Sequence, residues 1–164
     1  MKTQSLFVKR TIALAAALVF LAAANVTRVE AAPVNNLTPE QIEAIVTDVF
    51  IKFAAFDAQG TANLYAPDGT IEDPVGSTPI QGSQAILAYQ QSFPTILDEI
   101  RIQSFDVTVC GHEAAVKWRL RFKTKTGNVF FVDGIGIINV NENGKIQSDR
   151  EWFDQAYFLS QLQQ

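Results

Sequence analysis

The sequence predicts an exported domain of the α+β class, and three observations carry that prediction. Residues 1–31 have the pattern of a cleavable secretory signal. The part of the chain that follows has apolar residues at helical spacing, and the last third alternates apolar and polar residues as strands do. The 164 residues give room for one domain and a short extension.

The N-terminal segment predicts export. Basic residues precede an apolar run from Thr11 to Ala24. Because this run has 14 residues and a membrane-spanning helix needs about 20, we interpret it as a cleaved signal rather than an anchor. Small residues favour cleavage before Ala32, with 22–24 as a second possible site. Residues 32–37 then form a linker to a domain over 38–164, with a periplasmic or secreted location.

The mature chain is expected to be acidic. Loss of residues 1–31 removes four of the 13 basic residues and one of the 17 acidic residues, which leaves a net charge of −7. This charge disfavours nucleic acid and anionic membranes as partners. Cys110 is the single cysteine, so no internal disulfide can form, and its place in an alternating run predicts a buried strand residue. One His and one Cys cannot build a usual zinc site, so no metal and no tightly bound cofactor is expected.

Three helices are predicted in the first half of the mature chain. The Thr-Pro-Glu-Gln sequence over 38–41 is typical of a helix start with a capping box, and the apolar spacing continues to near Gly60. Residues 61–65 predict a second, short helix. Residues 83–93 predict a third, which Pro94 is expected to end.

An antiparallel meander is predicted after these helices. A turn over 67–69 leads to a short strand over 70–73 that Pro74 stops. Four longer strands follow: Ile100–Cys110, Ala115–Thr124, Val129–Val140 and Lys145–Phe153. Residues 157–164 are interpreted as a short tail. The helices are expected to cover the apolar face of the sheet.

Two of these strands have informative outer faces. On the second long strand apolar residues alternate with a basic stripe: Lys117, Arg119, Arg121, Lys123 and Lys125. The stripe is either a solvated sheet face or an anion-binding surface. The third long strand is apolar on both faces, with Phe130, Val132 and Ile138 on one and Phe131, Ile135 and Ile137 on the other. Because an antiparallel sheet needs one apolar face, the second predicts a homodimer interface.

The stretches over 56–60 and 64–76, the latter containing Leu-Tyr-Ala-Pro-Asp-Gly-Thr-Ile-Glu-Asp-Pro-Val-Gly, carry a family likeness. They resemble the ketosteroid isomerase and polyketide-cyclase-like branch of the nuclear transport factor 2-like superfamily. Residues 79–82, 144–147 and 151–154 resemble the same branch. The resemblance implies a cone-shaped, cystatin-like fold, in which a curved antiparallel sheet and N-terminal helices enclose an apolar pocket for a small hydrophobic molecule.

The resemblance also implies candidate catalytic residues. In the ketosteroid isomerases the Asp of the Glu-Asp-Pro segment is the general base, and this position is Asp73. Burial of its carboxylate in an apolar cone would raise its pKa and improve it as a base. The alternative is that Asp73 caps the turn before Pro74. Glu151 and Phe153 lie two residues apart on one strand, so their side chains point to the same face. Glu151 is therefore expected to enter the cone as a second carboxyl group. The alternative is an ion pair with an Arg at the rim.

Six aromatic residues are expected to line the pocket: Phe53, Phe56, Tyr65, Trp118, Phe130 and Phe153. Tyr65 matches a Tyr of the isomerases and is expected to order the pocket wall. Lys52 has two interpretations, a side chain inside the cone or one that faces solvent.

The sequence departs from the isomerases at their oxyanion hole, which uses a Tyr and a protonated Asp. The first helix has no Tyr, and Gly136 stands at the position of the Asp. One such donor is worth about 3–4 kcal/mol. The acid–base triad of the similar limonene epoxide hydrolases is absent too, because Lys117 and Arg119 occupy the positions of its Arg and Asp.

Three functions stay open on the sequence alone. The first is an isomerase- or lyase-type enzyme that uses Asp73 as base on a hydrophobic carbonyl compound. The second is a binding protein that holds a hydrophobic ligand without chemistry. The third is a dimeric scaffold, because this fold hosts many unrelated functions.

Overall fold

The computed structural model describes residues 37–164. The predicted signal peptide over 1–31 lies outside the described residues, as does the linker up to 36. The described part contains four helices and six strands in this order: α1 (Pro39–Ala54), α2 (Ala58–Ala62), β1 (Tyr65–Glu72), β2 (Ile80–Gln81), α3 (Ser83–Ile96), β3 (Leu97–Cys110), β4 (Glu113–Thr124), β5 (Val129–Val140), β6 (Ile146–Phe153) and α4 (Gln155–Leu162). None of these four helices has the length and apolar character that crossing a membrane requires.

A single six-stranded sheet, in the order β2-β1-β6-β5-β4-β3, confirms the predicted α+β class. The sheet is curved and unclosed, and β1 pairs with β6 in parallel while the other neighbours are antiparallel. The residues predicted as a turn over 67–69 lie inside β1, where the pairing with β6 is irregular between Tyr65 and Thr70. Gly69 fits this close approach, since a Cβ there would lie 2.9 Å from the Ile146 carbonyl oxygen.

The start of α1 is the predicted capping box. The Thr38 hydroxyl accepts a hydrogen bond from the Gln41 N–H at 3.3 Å, and the Gln41 side-chain oxygen accepts one from the Thr38 N–H at 2.8 Å. The helix ends at Ala54, earlier than predicted, because Phe56 adopts a positive φ of 56° that breaks the helical path. Asp57 then caps α2 and accepts a hydrogen bond from the Gly60 N–H at 2.8 Å.

The predicted end of α3 at Phe93 is wrong by three residues. Pro94 lies inside the helix, which continues to Ile96. A proline inside a helix removes one N–H hydrogen bond. Here Phe93 is buried against Phe53 at a ring separation of 4.9 Å, and the chain enters β3 directly at Leu97. This packing holds the last turn in place despite the missing bond.

The inward and outward faces of β5 follow the predicted alternation. Phe130, Val132 and Ile138 are buried in the core. Phe131 and Ile135 are exposed on the opposite face, Ile135 at 53%. The homodimer through this face stays a prediction.

The basic stripe of β4 is largely neutralised by acidic neighbours. Arg119 lies 3.4 Å from Asp133 and over the ring of Phe131, and Arg121 pairs with Glu99. Lys123 and Lys125 share Asp98 at 3.7 and 2.9 Å. The exposed pairs among these contribute little to stability, but together the pairs favour a solvated face over an anion-binding surface.

The prediction that Cys110 is buried is wrong. Cys110 is exposed at the end of β3. Its side chain points to the same face of the strand as those of Asp106 and Thr108, which are also exposed. Val107 and Val109 point to the other face and pack against the core. Alternation was therefore correctly recognised, but Cys110 belongs to the outer set.

The predicted C-terminal tail is the helix α4. Asp154 caps it, and its carboxylate accepts a hydrogen bond from the Tyr157 N–H at 2.8 Å. Phe158 packs against Phe122 and Phe130, with ring centroids 5.4 and 5.6 Å away. The helix therefore covers part of the inner face of the sheet.

Candidate functional site

A cavity of about 300 Å³ lies between the inner face of the sheet and helices α1, α3 and α4. Its wall is mainly apolar and aromatic. The charged residues in the wall are all acidic: Asp73, Asp149 and Glu151. The wall contains no Lys, Arg or His, and in the described part of the chain no group of three His, Cys, Asp or Glu is placed to hold a metal ion.

Six of the eight predicted site residues lie in this wall: Asp73, Glu151, Phe53, Tyr65, Trp118 and Phe153. The other two do not line the cavity. Phe130 points inward, as its position in the strand alternation predicts, but Phe158 of α4 covers it. The ring of Phe130 also stacks on that of Phe122, with the ring centroids 5.4 Å apart. Phe56 lies in the connection between α1 and α2. Lys52 contacts Asp48 at 3.4 Å and lies outside the wall, which favours its solvent-facing interpretation.

Asp73 follows the last residue of β1 and points into the cavity wall. The hydroxyl of Tyr89, on α3, donates a hydrogen bond to Asp73 Oδ2. Burial raises the pKa of Asp73 from 3.8 to about 6, while the bond from Tyr89 opposes this and the negative charge of Asp149 adds to it. The partner of this carboxylate is a cavity side chain, which favours the functional interpretation of Asp73 over the turn cap.

Tyr89 is a site residue that the sequence analysis missed. Burial raises the pKa of its hydroxyl well above the ordinary value, and the charge of Asp73 raises it further, so Tyr89 acts as a neutral donor. Its ring contacts Phe93 at 5.0 Å. The sequence could have placed Tyr89 on the inner face of α3, because its spacing from Ile86 and Phe93 is that of residues on one helix face.

Glu151 and Asp149 lie two residues apart on β6, so both point into the cone. Glu151 is 8% exposed and Asp149 is 7% exposed. The indole N–H of Trp118 donates to Glu151 Oε2 at 2.6 Å, and the hydroxyl of Tyr65 donates to Asp149 Oδ2 at 2.6 Å. The partner of Glu151 is thus Trp118 rather than an Arg at the rim. Asp149 is the second residue that the sequence analysis missed.

Burial raises the pKa of both β6 carboxyl groups. The pKa of Glu151 lies well above its ordinary value because of burial first and the neighbouring charge of Asp149 second. The pKa of Asp149 is also raised by burial, and the hydrogen bond from Tyr65 opposes the change. The interaction between the two carboxyl groups raises the pKa of Glu151 and lowers that of Asp149, so a proton shared by the pair is favoured on Glu151.

The parallel pairing of β1 and β6 brings these groups together. In this pairing Ile71 is opposite Asp149 and Glu72 is opposite Arg150. The next residue of each strand follows the same register, so Asp73 lies beside Glu151. The Val75 N–H donates to the backbone carbonyl of Glu151 at 2.7 Å and fixes this position. The charge of Asp73 also contributes to the raised pKa of Glu151.

Two glycines of β5 make room for the site. Gly136 is opposite Glu151, and a Cβ at Gly136 would lie 2.4 Å from Glu151 Oε1. Gly134 is opposite Trp118, and a Cβ there would lie 2.0 Å from the indole ring. The absence of a side chain at Gly136 therefore leaves the space that Glu151 fills from the next strand.

Solved structures with this fold come from several kinds of protein. A Xanthomonas campestris protein provisionally assigned as a polyketide cyclase superposes with a TM-score of 0.68 at 14% identity, over 78% of this chain and 98% of its own. SalBIII, an epoxide hydrolase/cyclase-like enzyme with a role in pyran ring formation in salinomycin, superposes with a TM-score of 0.61 at 21% identity. The match covers 71% of this chain and 93% of SalBIII. A Catenulispora acidiphila protein with a ketosteroid isomerase-like fold, solved in complex with trimethylamine, superposes with a TM-score of 0.66 at 18% identity. The match covers 77% of this chain and 95% of that protein. These likenesses confirm the predicted nuclear transport factor 2-like fold.

The family model of the SnoaL-like domain matches residues 46–148. The match covers more than half of the chain and includes Asp73, Tyr89 and Trp118. The chain belongs to the SnoaL-like domain family.

Proposed function

We propose that the domain is a proton-transfer enzyme of the isomerase or cyclase type that acts on a small hydrophobic carbonyl compound. The observation that carries this proposal is one apolar cavity with three carboxyl groups in its wall, two of which, Asp73 and Glu151, lie side by side at the pairing of β1 and β6. Asp73, with a pKa of about 6, is ionised near neutral pH and suits a general base. Burial and the charge of Asp149 raise the pKa of Glu151 well above its ordinary value, so its carboxyl group suits a hydrogen-bond donor.

The reaction begins with proton abstraction. A carboxylate oxygen of Asp73 takes a proton from the carbon next to the substrate carbonyl. The electron pair of the broken C–H bond moves into the carbon framework and forms an enolate, whose oxygen accepts a hydrogen bond from the Glu151 O–H. An isomerase then returns the proton from Asp73 to another carbon. In a cyclase the enolate carbon attacks a second carbonyl group of the same molecule. A C–C bond forms, the π bond of that carbonyl breaks, and the resulting alkoxide takes the proton from Asp73.

Glu151 is the donor that makes this step feasible without the oxyanion hole of the isomerases. Its carboxyl group lies against Gly136, at the place that the sequence leaves open. A preorganised donor in a water-poor cavity is worth about 3–4 kcal/mol of transition-state stabilisation. Trp118 holds Glu151 Oε2 and thereby fixes the orientation of the acid.

The charge of the cavity selects its substrate. Three carboxyl groups and no cationic side chain line the wall. An anionic substrate would be repelled and would find no partner for its charge. The proposed substrate is therefore uncharged, and the cavity volume of about 300 Å³ limits it to a few rings.

A hydrophobic-ligand-binding protein without chemistry is the second candidate. Tyr89 supports it, because its hydroxyl occupies Asp73 Oδ2 and lowers the basicity of that group. The open cavity weighs against the third candidate, a scaffold whose cone is filled by its own aromatic side chains. As part of the proposal the domain acts after export to the periplasm or medium, as a homodimer through the outer face of β5.

Hydrogen–deuterium exchange tests the enzyme directly. The mature domain is incubated in deuterated buffer with 2-tetralone, an apolar ketone with activated C–H bonds, and the loss of the C1 proton signal is followed by NMR. We expect exchange above the buffer rate, and the loss of that excess in Asp73→Asn. Asp133→Asn, a matched change at an exposed carboxylate on the outer face, should keep it. Exchange that is equal in both variants would contradict the proposal.

A further inference from the structure

The buried carboxyl pair of β6 is short of hydrogen-bond donors. Asp149 Oδ2 accepts the Tyr65 hydroxyl, but among the described residues no N–H or O–H group reaches the buried Asp149 Oδ1. Leaving a buried carboxylate oxygen without a donor is costly. Asp149 and Glu151 lie two residues apart on one face of β6 and both line the cavity, so their carboxyl groups are neighbours. A proton on Glu151 therefore supplies the donor that Asp149 lacks.

The surroundings decide which of the two groups holds the shared proton. The short bond from the Tyr65 hydroxyl favours the ionised form of Asp149. Glu151 faces Asp149 on its own strand and Asp73 at the end of β1, and the neutral side chains of Trp118 on β4 and Tyr89 on α3 complete its surroundings. Two negative neighbours and no positive one keep the proton on Glu151.

We propose that Asp149 is a positioning residue, whose buried charge keeps Glu151 protonated before substrate binds, when the Glu151 O–H points at Asp149. The same O–H then turns from Asp149 to the substrate oxygen. The inference rests on the proposed function, in which Glu151 is the donor to the enolate. Tyr65 has a part in this arrangement, because its hydroxyl holds Asp149 in place and in its charged form.

The arrangement has a consequence for the reaction. Glu151 next to a neutral residue would ionise at lower pH and would place a second negative charge opposite Asp73. The developing enolate would then meet an acceptor where it needs a donor. Asp149 acts on the reaction only through Glu151, and no covalent bond to Asp149 forms or breaks.

Trp118 provides a direct readout that needs no substrate. Its indole donates to Glu151, so its fluorescence should change when Glu151 loses its proton. The exposed Trp152 is first replaced by Phe, which leaves Trp118 as the single tryptophan. The fluorescence is then recorded from pH 4 to pH 11 for this parent, for Asp149→Asn and for Glu151→Gln.

We expect Glu151→Gln to abolish the titration and Asp149→Asn to move its midpoint to lower pH, with an acid dissociation constant at least tenfold larger. Asp133→Asn should leave the midpoint unchanged, because Asp133 lies on the outer face of the sheet. If Asp149→Asn fails to fold by circular dichroism, Asp149→Ser removes the same charge and should give the same direction.

Two results would overturn the inference. One is a midpoint that stays in place without Asp149, and the other is a titration that survives Glu151→Gln. The outcome is separate from that of the proposed function. A shifted midpoint with no exchange of 2-tetralone would refute the enzyme but leave the Asp149–Glu151 coupling established.

Discussion

Gly136 and Glu151 are directly opposite each other on β5 and β6, and the carboxyl group of Glu151 occupies the space where a side chain at Gly136 would be. The position of the Glu151 carboxyl group therefore depends on the absence of a side chain at residue 136.

Gly136→Ala tests this dependence. Because the new Cβ would lie 2.4 Å from Glu151 Oε1, we expect Glu151 to be displaced. Overpacking of this kind lowers the free energy of unfolding by about 1–3 kcal/mol, and the exchange of 2-tetralone should fall sharply. Urea unfolding and the exchange assay measure the two effects. Asn139→Ala, on the outer face of β5, is the control, and full exchange activity in Gly136→Ala would contradict the account.

The pH dependence of exchange reports the ionisation of Asp73. Activity should rise with pH and level off above about pH 6, because the base must be deprotonated. Tyr89→Phe removes a hydrogen bond that favours the charged form, so the pKa of Asp73 should increase and the rising limb should move to higher pH. A limb that stays in place in Tyr89→Phe would show that another group controls the profile.

The stability of the fold should depend on pH through Asp73. Its folded-state pKa of about 6 exceeds its ordinary value of 3.8, so the folded state binds the proton more tightly than the unfolded state. The stabilisation from this proton is complete below pH 3.8 and is lost as the pH rises through about 6. Urea unfolding at pH 5 and pH 8 should show a smaller decrease in Asp73→Asn than in the wild type. Equal decreases would contradict the raised pKa.

Ligand charge should control affinity for the cavity. We expect 2-acetylnaphthalene to bind at least tenfold more tightly than 2-naphthoate, which has nearly the same size but carries a negative charge. The reason is the acidic wall without a cation. Isothermal titration calorimetry at pH 8 measures both dissociation constants, and tighter binding of the carboxylate would refute the proposed uncharged substrate.

The homodimer has its own test. Ile135 lies on the outer face of β5 and is 53% exposed, as is Ile51 on α1. If the outer face joins two copies, Ile135→Lys should produce monomers, whereas Ile51→Lys should not. Sedimentation velocity measures the masses, and a wild-type domain that sediments as a monomer would contradict the dimer.

Local signals in the sequence predicted much of the fold. The capping residues predicted the start of α1, and the alternation of side chains along the strands predicted that Phe130 and Glu151 point inward. This alternation could not show which residues cover each side chain. Phe130 points inward but meets Phe158 of a helix that was interpreted as a tail. The Asp154 cap was the signal for that helix.

The partners in the site could not be predicted from local pattern. Asp149 shares parity with Glu151, but a charged residue in a strand normally indicates a solvent-facing position. Its burial depends on the Tyr65 hydroxyl and on the parallel pairing of β1 and β6, which joins residues about eighty positions apart. The contact of Tyr89 with Asp73 likewise needs the packing of α3 against β1.

The most direct test of the Asp73–Glu151 site is a fluorescence titration with 2-naphthol, a phenolic mimic of an enolate. Trp118 and Trp152 are the reporters, and wild type, Asp73→Asn and Glu151→Gln are compared. We predict tighter binding to Asp73→Asn, because the negative charge that faces the mimic is removed, and weaker binding to Glu151→Gln, because the amide is a poorer donor than the acid. Equal binding to all three forms would contradict the account and leave the cavity as a binding site without chemistry.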